Sequence, residues 1–90
     1  MGGSPDPVAV LLAALASITQ PPPRLEELEQ RLRSHPEQIT LRDLGLDSLG
    51  MMEFCISLEL DHATFLTPEV LGGMHSADQI LRVLGRRPAG

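Results

Sequence analysis

Proline sets the segment lengths of this chain. Its 90 residues hold eight prolines, among them Pro7, the run Pro21-Pro22-Pro23, Pro36 and Pro68. A proline ring fits the first turn of a helix but breaks any helix that reaches it from the N-terminal side. The chain is therefore cut into short pieces, and none of them shows strand-like alternation of useful length or an internal repeat. Apolar residues make up 42% of the chain with only two aromatics, Phe54 and Phe65. The core must be built from Leu, Ile, Val, Ala and Met, a mix that favours helix on helix over a β-sandwich. Ninety residues make at most one domain with a small core. The expected fold class is all-α.

The pieces read as helices with recognisable ends. Asp6-Pro7 is an N-cap followed by proline at the first helical position. Val8, Leu11, Leu12, Leu15 and Ile18 then form one wide apolar stripe, predicting a first helix that ends near Ser17. Behind the triple proline, Leu25, Leu28 and Leu32 recur at i, i+3 and i+7, with acids early and arginines late as the helix dipole favours. This predicts a short amphipathic helix over Leu25–Leu32 lying on the core, with a solvated spacer as the equal alternative. Ile39, Leu41, Leu44 and Leu46 are spaced irregularly and read as loop residues anchored in the core. A helix from Ser48 to Leu60 follows, whose Leu49, Met52, Phe54, Cys55, Ile56 and Leu58 wrap more than one face; it either exposes some of them as a docking surface or, as the equal alternative, is buried on two sides of a small bundle. Thr67-Pro68-Glu69 starts a one- or two-turn helix that Gly72-Gly73 stops. Ser76 and Gln79 form a capping box for a last helix carrying Ile80, Leu81, Val83 and Leu84 and ending at Gly85. Met1–Pro5 and Arg86–Gly90 read as a frayed start and a tail around a folded unit of residues 6–85.

Charge and cysteine content narrow the function. The net charge of −5 argues against nucleic acid as a partner and leaves basic protein surfaces open. One cysteine, Cys55, allows no internal disulfide and fits a reducing, cytoplasmic setting; it reads as a small buried hydrophobe. No His, Cys and Asp residues recur at metal-ligand spacing. The apolar run Val8–Ile18 lacks a basic flank and is too short to span a bilayer, so neither a signal peptide nor a membrane segment is expected.

The stretch LRDLGLDSL, residues 41–49, raises the functional question. Ser48 at the mouth of a helix is either an N-cap or a chemical handle. The three histidines, His35, His62 and His75, fall in predicted loops, and no spacing ties any of them to Ser48 as a base. No G-x-S-x-G elbow surrounds Ser48 and no phosphate-cradling glycine loop is present. The chain is not expected to be an enzyme.

Asp43-Leu44-Gly45-Leu46-Asp47-Ser48-Leu49 resembles the Asp-Leu-Gly-x-Asp-Ser-Leu signature of the acyl carrier protein family, and the surrounding helices extend the resemblance from about residue 6 to residue 85. It implies a small four-helix bundle of the acyl-carrier type, here with a long first loop holding the extra Leu25–Leu32 helix. It also implies that a phosphopantetheinyl transferase uses coenzyme A to attach 4′-phosphopantetheine covalently to Ser48, with Asp47 its neighbour in the cofactor-binding motif. Acyl groups then ride on the arm's thiol as thioesters. By the same resemblance, the helix after Ser48 meets partner enzymes through Leu49, Glu53, Ile56 and Glu59. Those partners would be a ketosynthase, an acyltransferase or an acyl ligase, with basic groups at their entrances, and the carrier itself is expected to be a monomer. Gly50 and Met51 replace polar residues common after the motif, and the stretch before Ser48 is longer than usual; both suggest a carrier of polyketide or related secondary metabolism. A peptidyl or aminoacyl carrier is an alternative, although such carriers usually have Gly-Gly where this chain has Gly45-Leu46. A carrier that has lost its arm is another. The alternative of a different class is a small helical adaptor in which Ser48 is only the N-cap.

Overall fold

Capping side chains and first-turn prolines start the helices at Pro7 and Pro68, whereas the helix at Leu25 follows Arg24 in the left-handed region (φ 57) without a side-chain cap. The computed structural model describes residues 6–85; the predicted frayed start and tail lie outside the described residues. Helix α1 spans Pro7–Ala16, with Pro7 in its first turn and Asp6 capping it by accepting the Val8 N–H at 3.1 Å. Helix α2, Leu25–Ser34, has Glu26 and Glu27 in its first turn and Arg31 and Arg33 in its last, charges placed to favour the helix dipole. A single 3₁₀ turn, Pro36–Gln38, follows. Helix α3 runs Ser48–His62, α4 Pro68–Gly72 and α5 Ala77–Gly85. Among the described residues the regular structure is entirely helical.

Helix α1 is the centre of the bundle. It packs against α5, α3 and α2, while α4 packs on α3 and the 3₁₀ turn on α5 and α2. Leu11, Ala14 and Leu15 are fully buried, and around them lie Leu32, Ile39, Leu44, Phe54, Leu58, Leu71, Ile80 and Leu84. The expected stripe of α1, with Ile18 beyond its end, is thus the face that closes the core.

Helix α2 is a packed element and not a solvated spacer. Leu28 and Leu32 are buried, and the Arg33 guanidinium sits 2.5 Å from Asp6 and 3.0 Å from Glu29. That arginine holds α2 against the cap of α1. Its carboxylate partner responds, since the hydrogen bond from Arg33 holds the Asp6 carboxyl below its ordinary range. Ile39, Leu44 and Leu46 are buried and Leu41 half-buried, so the loop before α3 is anchored as its leucines predict. The Ile39 carbonyl accepts the Ala77 N–H at 2.7 Å, tying that loop to the start of α5.

Two ends differ from expectation. Helix α3 continues two residues past Leu60, taking in His62, and stops at Ala63 in the left-handed region (φ 52). The N–H groups of Ala63 and Thr64 both donate to the Leu58 carbonyl, which satisfies a C-terminal acceptor. The Ser76–Gln79 capping box does not form as such. Gln79 reaches one residue further back, to the His75 N–H at 2.6 Å, while the Ser76 hydroxyl turns to Asp78. Thr67, by contrast, caps α4 as expected, accepting from Val70.

Candidate functional site

The seven residues Asp43–Leu49 divide sharply by what the fold asks of them. Asp43 and Thr40 bond reciprocally: the Thr40 N–H donates to the Asp43 carboxylate at 3.0 Å, and the Asp43 N–H to the Thr40 hydroxyl at 3.1 Å. The bond from the Thr40 backbone holds the Asp43 carboxyl below its ordinary range. Leu44 is fully buried. Gly45 adopts φ +76 with Pro22 close beside it, a backbone conformation that costs glycine little. Leu46 is buried. Asp47 is the N-cap of α3, in extended conformation, accepting the Gly50 N–H at 2.7 Å.

Ser48 is therefore not the cap. It is the first helical residue, it is exposed, and no described residue hydrogen-bonds its hydroxyl. Asp47 satisfies the Gly50 N–H with its side chain and the Met51 N–H with its carbonyl. No described residue accepts from the N–H groups of Ser48 or Leu49, which leaves two donors at the positive end of a 15-residue helix.

A hollow of about 100 Å³ lies at this end of α3, walled by Thr19, Gln20, Gly45, Asp47, Leu49, Gly50, Glu53 and Ile18. Its far wall is the segment just after α1, held by a two-pronged contact. The Thr19 N–H donates to Glu53 Oε1 at 3.0 Å, and the Thr19 hydroxyl donates to Glu53 Oε2. These bonds, the hydroxyl's first, hold the Glu53 carboxyl below its ordinary range. A Cβ at Gly50 would crowd Asp47 Oδ1 at 3.1 Å and meet Leu46 (3.5 Å) and Ile18 (3.8 Å) at ordinary contact distance. Ser48 itself does not line the hollow; Thr19 and Gln20 carry no motif, and nothing near them in sequence marks them as neighbours of the α3 N-terminus.

The outer face of α3 is apolar. Leu49, Met52, Ile56 and Leu60 are 52–75% exposed and recur at i, i+3, i+7 and i+11, one continuous stripe. Of the residues expected to meet partners, Leu49 and Ile56 lie on this stripe and Glu59 is exposed beside it. Glu53 is half-buried and turned to Thr19. Cys55 is a free, buried thiol whose proton affinity burial raises, an unreactive state. None of the three histidines borders the hollow. Among the described residues, no group of three or more His, Cys, Asp or Glu side chains could hold a metal ion, and no helix is long and apolar enough to cross a membrane.

No protein-family model, no curated protein and no solved structure matches this chain.

Proposed function

We propose that this chain is an acyl carrier protein whose 4′-phosphopantetheine arm is attached at Ser48. One observation carries the reading. In a stretch where Asp43, Leu44, Gly45, Leu46 and Asp47 each have a defined structural task, the Ser48 hydroxyl has none and faces solvent. The adaptor reading explained Ser48 as a cap, and Asp47 fills that role.

The residues present suit the group. A phosphodiester on Ser48 would stand where the Ser48 and Leu49 N–H groups and the helix dipole favour negative charge. The arm would supply the thiol that holds the acyl group, which explains why this chain carries no catalytic set of its own. Loading is a phosphoryl transfer in which the Ser48 oxygen forms the new phosphodiester and the nucleotide half of coenzyme A departs. The five-helix bundle is then an acyl-carrier bundle with α2 as its insertion, working as a monomer in the cytoplasm. Its partners are the transferase and, in turn, a ketosynthase, acyltransferase or acyl ligase of polyketide or related secondary metabolism. The Gly50 departure has a packing explanation, so that pathway assignment rests on Met51 and the α2 insertion, and the acyl over the aminoacyl cargo on Leu46.

Intact-protein mass after incubation with coenzyme A and a broad-specificity phosphopantetheinyl transferase tests the proposal. One phosphopantetheinyl group is expected on the wild type and none on Ser48→Ala. A folded wild type that gains no mass would sink the reading.

A further inference from the structure

We draw no further inference here: the strongest candidate, the polar hollow of about 340 Å³ between α2 and the 3₁₀ turn, lined by Glu27, Gln30, Arg31, Ser34, His35 and Gln38, carries nothing, because all six residues are exposed and nothing in the structure shows what would fill it.

Discussion

Thr19 gives both its backbone N–H and its hydroxyl to the carboxylate of Glu53, across 34 residues of sequence. The contact joins the exit of α1 to the second turn of α3 and walls the hollow lined by Asp47 and Leu49. It is a device of the bundle that uses one of the acids the family resemblance assigns to partner binding.

This contact should be visible in the acid limb of stability. Thr19 holds the Glu53 carboxyl below its ordinary value of 4.5. A carboxyl whose folded-state pKa is depressed contributes stability that is present above the unfolded value and lost as pH falls through the folded one. The melting temperature of the wild type should exceed that of Glu53→Gln at neutral pH. The gap should close as pH falls below about 4.5. Asp6 and Asp43, also depressed, titrate in both proteins and cancel in the difference. A gap independent of pH would mean that the clasp does not shift the Glu53 ionisation on folding.

Asp47 and Ser48 should separate cleanly on substitution. Asp47→Ala removes the side-chain acceptor of the Gly50 N–H and should destabilise the fold by about 1 kcal/mol in chemical denaturation. Ser48→Ala removes a hydroxyl that no described residue uses, and should change stability by less than about 0.5 kcal/mol. The reverse order would return the capping role to Ser48.

Much of this arrangement was legible in the sequence, and what was not has physical reasons. The α1 stripe, the Asp6 and Thr67 caps and the buried Leu44 and Leu46 follow from periodicity and local chemistry, which act over a turn or two of chain. The exposure of Leu49, Met52, Ile56 and Leu60 on α3 was only half legible, because apolar residues on more than one face fit a helix buried on two sides equally well. The choice of cap was not, because aspartate and serine are nearly equal N-caps and only the extended backbone of Asp47 (ψ −171) decides between them. The Thr19–Glu53 contact was not, because no local pattern reports a pairing between distant segments. Gly50 read as a departure from a motif. In the structure it is the point where Ile18, Leu46 and Asp47 come together.

Ala63 should be improvable. It closes α3 at φ 52, where an L-residue with a Cβ is less stable by roughly 1–2 kcal/mol than in the right-handed region. Glycine occupies such C-terminal positions without that strain but loses about 0.4–1 kcal/mol through the entropy of the unfolded chain. Ala63→Gly should therefore stabilise the protein by about 0.5–1 kcal/mol, read from the denaturation midpoint at unchanged slope. Destabilisation would show that the left-handed turn carries no strain.

Gly50→Ala should be close to neutral alone and stabilising in company. Alanine in place of glycine in a helix gains about 1 kcal/mol. Here the new Cβ would meet Asp47 Oδ1 at 3.1 Å, the same oxygen that accepts the Gly50 N–H at 2.7 Å. That oxygen must shift, and the cap it provides is worth about 1 kcal/mol. The two effects oppose each other, so the single substitution should change stability by less than about 0.5 kcal/mol. Once Asp47→Ala has removed the cap, nothing remains for the methyl group to displace except contacts at ordinary van der Waals distance with Leu46 and Ile18. Gly50→Ala should then gain nearly its full propensity. A double-mutant cycle by urea denaturation would show a favourable coupling between the two alanines of about 1 kcal/mol. Strict additivity would mean that the methyl group and the cap do not compete, and that Gly50 is present for a reason other than room for Asp47.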